Sequence, residues 1–297
     1  MAFFIEVLAN GLLSGVMYSL VALGFVLIFK SSGVFNFAQG AFVLLAALTL
    51  VRLMEMGINF WLAVAITLAV MIVLAIIIER VVLRPLVNQP LIILFMVTIG
   101  LNYFLEGFAQ GVWDTQVHGL DLGIPDVPWA YAADRWDIFV SIFDLWAAAI
   151  CAVVVFFLAI FFQKGRIGRA LRAVTDDHQA AMSVGIPLKQ IWAIVWAVAG
   201  LVALVAGALW GQRLGVQFSI SLVALKALPV LILGGFQSIG GAIVGGLIIG
   251  ASEKLGEVYL GPIIGSGIET WFAYFIAMIF LIVRPYGLFG DEIIERV

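Results

Sequence analysis

The chain has 297 residues, of which 64% are hydrophobic and only 11% charged, with a mean hydropathy of +1.19 and a formal net charge of −3. A soluble domain carries about 25% charged residues, so water cannot cover this surface and lipid must cover much of it. The slightly acidic balance gives no sign of a nucleic-acid partner, and the single cysteine, Cys151, rules out an internal disulfide and reads as a small buried hydrophobe.

The chain opens with "MAFFIE", which has Glu6 and no basic residue, and its apolar run continues from Val7 to Phe29, 23 residues. A signal-peptide core is shorter and follows a basic start, so this run is expected to be a retained first membrane helix. Further spans are expected at 34–51, 60–83, 90–112, 141–162, 190–211 and 263–283, each of 18–24 residues. That length matches a hydrocarbon core of about 30 Å at about 1.5 Å per residue. Helices are required because a lone strand leaves backbone groups unpaired in lipid. The second span is the weakest, since "VFNFAQGAF" places Asn36 and Gln39 inside it.

Two loops stand out in chain order. The loop 113–140 holds Asp114, Asp121, Asp126, Asp134 and Asp137 against Arg135, with Pro125 and Pro128 breaking any regular element. The loop 164–189 contains "GRIGRALRAVTDDHQAAMSVGIP". There Ile167, Leu171 and Val174 recur on one helical face, while Arg166, Arg169 and Arg172 take the other. Thr175, Asp176 and Asp177 are capping residues, so a second short helix is expected to begin there. Gly185 suits the left-handed position that ends a helix, and Pro187 prevents continuation. Such a loop can lie on anionic lipid. The paired Ala180 and Ala181 suit a tight protein groove better, and anionic lipid would repel the two acids.

The segment "LVALKALPVLILGGFQSIGGAIVGGLIIGAS", 222–252, is 31 residues long, too long for one ordinary span and too short for two. Lys226, Pro229 and the pairs Gly234–Gly235 and Gly240–Gly241 interrupt it. Two half-helices meeting at "GGFQSIGG" fit better than one straight rod. The expected fold is therefore an all-α polytopic membrane protein, one transmembrane domain over 1–297, with about eight membrane elements including this broken or re-entrant hairpin. Placing the amino terminus outside puts ten Lys and Arg residues on the cytoplasmic side and four (Arg52, Arg135, Arg213 and Lys254) on the other, leaving Lys226 within the membrane. On that scheme 113–140 lies outside and 164–189 in the cytoplasm.

Polar groups at membrane depth are functional candidates: Asn36, Gln39, Asn102, Glu106, Lys226 and Glu269. Asn36 and Gln39 also suit hydrogen bonds between helices, and Lys226 with Glu269 suits a buried tie. Glycines four apart, Gly11/Gly15, Gly207/Gly211, Gly241/Gly245 and Gly246/Gly250, favour close helix approach. No phosphate-binding loop is present, because no Lys-Ser/Thr follows the glycines of "GGFQSIGG". With two histidines, His118 and His178, there is neither a metal-ligand pair nor a nucleophile with its base. The chain is thus not expected to be an enzyme, nor to bind a cofactor or metal. An ion-coupled carrier or channel using Glu106, Lys226 and Glu269 would also suit a broken helix, but would not need the capped basic loop.

Three stretches resemble one family, the LivH-type permease subunits of ABC importers for branched-chain amino acids: 10–42, 168–186 and 225–250. The resemblance covers nearly the whole chain. It implies a second, LivM-like permease subunit, two ATPase subunits that hold the ATP and Mg, and an external solute-binding protein. It further implies that Arg169, Arg172, Asp176, Asp177, Ala180, Ala181 and Gly185 couple to the ATPase. A translocation route would run past Asn36, Phe37, Gln39 and Gly40, and past Lys226, Gly234, Gly235 and Ser238. Gln39 stands where the family usually has histidine, and Pro229 where it often has a small residue, so urea, short amides or related acids remain alternative cargoes.

Overall fold

The computed structural model describes residues 2–86, 89–176, 181, 183–265 and 267–290. Nearly all are helical, in the order α1 (Ala2–Ser32), α2 (Gln39–Glu55), α3 (Phe60–Ile77), α4 (Leu91–Trp113), α5 (Ala130–Trp136), α6 (Ile142–Lys164), α7 (Arg166–Asp176), α8 (Leu188–Leu214), α9 (Val223–Gly234), α10 (Ile239–Ile264) and α11 (Phe272–Val283). Among the described residues, six stretches are long and apolar enough to cross a membrane alone: Ala2–Ser32, Phe60–Leu86, Ile92–Trp113, Ile142–Lys164, Gln190–Leu214 and Ile239–Ile264. Phe218–Gly234 and Phe272–Val283 are shorter and also apolar. The protein is a multi-pass helical membrane protein.

The chain forms two compact units: Leu23–Leu122 with Phe156–Ala224, and Met1–Ala22 with Gly123–Val155 and Leu225–Val297. The first is organised around α2, whose residues Gln39 to Val51 are all buried. The helix expected at 34–51 starts later than its apolar run. Asn36 takes hydrogen bonds from its own downstream backbone, Ala38 N at 3.2 Å on its side chain and Gln39 N at 3.2 Å on its carbonyl. That local alternative holds the chain in a turn and delays the helix to Gln39. Against α2, α8 approaches through Gly207, where a Cβ would lie 2.6 Å from the carbonyl oxygen of Val43. The helix α3 buries only Ala63, Thr67, Met71 and Ala75, a single stripe four residues apart. Its other faces are apolar and exposed, as lipid contact demands. A π-helical turn, Ile78–Leu83, and a 3₁₀ turn, Arg84–Leu86, end this rod at Pro85, which has no N–H to continue it.

In the second unit, α1 and α10 run antiparallel in contact through glycines. A Cβ at Gly11 would lie 2.8 Å from the carbonyl oxygen of Gly250, and one at Gly246 would lie 2.6 Å from that of Gly15. Side chains larger than hydrogen would hold the backbones apart, so these positions set the spacing. The pairs Gly11/Gly15 and Gly246/Gly250, each four apart in the sequence, meet each other here. The broken hairpin also forms, but not as two half-helices. A short limb, α9, is 12 residues long, the turn takes Gly235 at φ +100°, and α10 returns over 26 residues as a full span. Ser238 caps α10, its Oγ accepting from Gly241 N at 3.0 Å. The last span is shorter than the expected 263–283, because α10 runs on to Ile264 and the left-handed Gly265 and Gly267 carry the turn before α11.

Candidate functional site

The arginine loop is fastened to helix ends. In an α-helix the last four carbonyls have no partner in the helix. Arg172 donates from Nη1 to Phe162 O at 2.9 Å and from Nη2 to Gln163 O at 3.1 Å, and Arg169 Nη1 donates to Lys164 O at 3.1 Å. Two of the three arginines therefore close the end of α6, where the helix dipole favours a cation. At Gly168 the backbone touches Phe162 so closely that no Cβ fits. The apolar stripe faces inward as its spacing requires, with Leu171 and Val174 buried.

The other end of α7 corrects an expectation. Thr175 and Asp176 complete α7, and the second helix expected from there falls on residues 177–180, outside the described ones. The Thr175 hydroxyl donates to the carbonyls of Leu171 and Lys30, and the Trp192 indole donates to Ser31 O at 3.0 Å. Lys30 and Ser31 are the last turn of α1, so α7 and the start of α8 bind the end of α1 as well. Beyond this, Asp177 and Ala180 lie outside the described residues. Ala181 is buried, at 3% exposure. Gly185 takes the expected left-handed conformation, φ +85°, with Ile186 N bonded to Ala181 O at 3.1 Å. The large exposed side chain here is Val184.

The residues of "VFNFAQG" divide by role. Asn36 and Gln39 are wholly buried and meet each other, Asn36 Nδ2 to Gln39 Oε1 at 3.5 Å. The amide nitrogen of Gln39 lies against Gly24 and has no hydrogen-bond partner. Phe37 sits between Phe35 and Phe95, with ring centroids 4.6 and 4.7 Å away. Gly40 packs directly on the Ser221 carbonyl, and no side chain would fit there. In the hairpin, Gly234 packs on Gly241, Gly235 makes the turn and Ser238 caps α10. Leu288 N and Phe289 N bond to the carbonyls of Leu233 and Gly234 at 2.8 and 3.2 Å, so the segment after α11 satisfies the end of α9.

Lys226 pairs differently from the expectation. Its Nζ lies 2.7 Å from Oε1 of Glu253, while Glu269 pairs with Lys254 at 3.2 Å. The sequence reading missed Glu253. Its signal was there, because Gly246, Gly250 and Glu253 fall at i, i+4 and i+7 and share the face of α10 turned to α1. Tyr18, from α1, donates to Glu253 Oε1 at 3.2 Å.

A second charged cluster lies past the apolar part of α2. Arg52 pairs with Asp114 and with Glu55, the latter at 2.9 Å, and His118 Nδ1 is 2.8 Å from Glu55 Oε1. Burial raises the Glu55 carboxyl, but hydrogen bonds from Arg52 and His118 outweigh it and hold the group below its ordinary range. The backbone N–H of Gln116, with help from His118 and Arg52, lowers Asp114 likewise. His118 also bridges Val216 through its backbone. The cluster thus ties α2, α4 and the strand-like stretch after α8. Among the described residues, no group of three His, Cys, Asp or Glu side chains is placed to hold a metal ion.

A membrane-embedded helical chain with a basic loop locked onto helix ends has the anatomy of a transporter's membrane subunit. Residues 7–284 match the family described as "Branched-chain amino acid transport system / permease component", and the chain belongs to that family. It is 30% identical to the high-affinity branched-chain amino acid transport system permease protein LivH of Escherichia coli, over 99% of this chain and 98% of that protein. It is 28% identical to the corresponding permease protein BraD of Pseudomonas aeruginosa, over 99% of this chain and 98% of that protein. Among solved structures, PsaBC from Streptococcus pneumoniae in complex with Fab shares the fold, with a TM-score of 0.50, 16% identity and 97% and 98% of the two chains covered. The protein is therefore a permease subunit of an ABC importer and not itself an enzyme. Such a subunit works with ATPase and binding-protein partners.

Proposed function

We propose that this chain moves branched-chain or closely related amino acids inward across the bacterial inner membrane, with the amino terminus outside. Its partners would be a LivM-like second permease, two ATPase subunits carrying ATP and Mg, and an external solute-binding protein. The loop 113–140 would face that binding protein and 164–189 the ATPase. The chain itself binds no cofactor on this reading. The supporting observation is the anchoring of α7: guanidinium groups hold it to the end of α6, and a hydroxyl and an indole hold that region to the end of α1. A push on 176–185 would therefore reach two spans through hydrogen-bonded joints rather than a slack tether. A displacement at one end can bias a transport equilibrium only if the contacts differ between states. A translocation route past Asn36, Phe37, Gln39 and Gly40, and past Lys226, Gly234, Gly235 and Ser238, stays part of this proposal.

The test is co-purification and uptake in proteoliposomes. The expected result is that an ATPase co-purifies, that leucine uptake requires ATP, and that Val184→Arg, on the exposed surface beside Gly185, loses the ATPase while the permease stays folded. Leucine uptake that proceeds with no ATPase present would sink the coupling role and favour an ion-coupled carrier.

A further inference from the structure

We propose that Lys226 and Glu253 form a zwitterion-recognition site at mid-membrane, taking the carboxylate and the ammonium of an α-amino acid; this rests on the amino-acid reading of the cargo. Glu253 lies 14 residues into the 26-residue α10, about 21 Å from its start at about 1.5 Å per residue. Tyr18 is similarly central in α1, which spans Ala2–Ser32. The group therefore sits near the middle of two full spans, where an ionisable side chain is costly and marks a route or a site.

Two features point to a ligand rather than a finished structural tie. Glu253 is only 2% exposed, and one carboxylate oxygen, Oε1, takes both available partners, Lys226 at 2.7 Å and Tyr18 at 3.2 Å. The other oxygen, Oε2, is buried and accepts no hydrogen bond. A buried carboxylate oxygen left without a donor is costly, and a tie selected for stability alone would satisfy it. On the opposite side of the pair the Lys226 side chain is 30% exposed. An ammonium at mid-membrane cannot face hydrocarbon cheaply, so this face of α9 must look onto a polar space or a partner subunit.

The pair is complementary to an α-amino acid in both charges. The Lys226 ammonium offers donors to a carboxylate, and Glu253 Oε2 offers an acceptor to an ammonium. These groups are separated by little more than the width of a carboxyl, and an α-amino acid carries its own two charged groups on a single carbon. A neutral amide, or an acid without an amine, would satisfy one half and leave the other unpaired, which is how a buried polar site discriminates.

The test uses the assembled importer with its partner chains, without the solute-binding protein, and measures binding by saturation-transfer NMR. The probes are leucine, 4-methylpentanoate, which lacks the ammonium, and 3-methylbutylamine, which lacks the carboxylate. Leucine is expected to bind at least about tenfold more tightly than either analogue, corresponding to the loss of about 1.4 kcal/mol. The double variant Lys226→Gln/Glu253→Gln, which leaves no unpaired charge behind, is expected to lose this preference while still co-purifying with its partners, and Lys226→Arg to keep it. Equal binding of the three probes by the unmodified importer overturns the site, and so does a double variant that binds leucine like the parent. If the unmodified importer takes up no leucine in the uptake assay, the cargo reading fails and the site falls with it. Leucine uptake with no preference among the probes sinks the site alone.

Discussion

The closest backbone approach of α1 and α10 is made at glycines, which makes Gly246→Ala a sharp test of how the second unit is held. A Cβ at Gly246 would lie 2.6 Å from the Gly15 carbonyl oxygen, against an ordinary contact distance of 3.4 Å and above, and would also meet the Ser19 hydroxyl. Because that oxygen belongs to helical backbone it cannot turn away, so the helices must separate by about 0.8 Å, the difference of those two distances. Overpacking of this kind costs about 1–3 kcal/mol. The Tyr18–Glu253 hydrogen bond, 3.2 Å in the native packing, would be stretched out of reach, removing about 0.5–1.5 kcal/mol more. Alanine returns up to about 1 kcal/mol through its helix propensity. The net is a destabilisation of about 0.5–4.5 kcal/mol, or roughly a 2- to 2,000-fold fall in the folded population. Gly100→Ala is the matched control, since Gly100 is also helical but has nothing within 4 Å of its missing Cβ. Here the propensity gain acts alone, so the sign reverses. The assay is thermal and denaturant unfolding of the purified protein in one detergent. If Gly246→Ala proves as stable as Gly100→Ala, glycine does not set the α1–α10 spacing and the packing argument is wrong.

Two other outcomes follow from the charged groups. Glu55 and Asp114 are both held below their ordinary values, so what they add to stability is complete above about pH 4, near their unfolded values, and is lost as pH falls through the lowered ones. Proteolysis of the stretch around 114–118 in Glu55→Gln should therefore be faster than in the parent at pH 7, and the two should converge near pH 3; a gap that widens on acidification contradicts the assignment. Arg172→Ala frees two carbonyls at the end of α6, at about 0.5–1.5 kcal/mol each. Hydrogen exchange of the α7 amides should then accelerate about tenfold, with Arg172→Lys intermediate because one ammonium cannot serve both oxygens; unchanged exchange would mean that α7 is held by its apolar stripe alone.

The sequence by itself determined the medium, the helical class and the punctuation. Lipid accepts only backbone that satisfies itself, so composition and run length were enough to place the long spans, and the glycine pairs foretold where helices would touch. The chemistry of single residues also worked locally: Gly185 ends its helix, and the break at "GGFQSIGG" is real. Tertiary structure decided which partner each polar group took. Lys226 chose Glu253 over Glu269 because the glycine face of α10 turns Glu253 toward α1, a fact visible only once two helices are docked. Arg169 and Arg172 read from their spacing as a free basic face, yet they close the end of α6, since a guanidinium seeks the nearest unpaired carbonyls and only the fold brings those within reach. Asn36 delayed α2 by a local route instead, its side chain and carbonyl accepting from Ala38 N and Gln39 N; elsewhere, hydrogen-bond satisfaction in lipid is settled by what lies alongside, and a linear chain does not say what that will be.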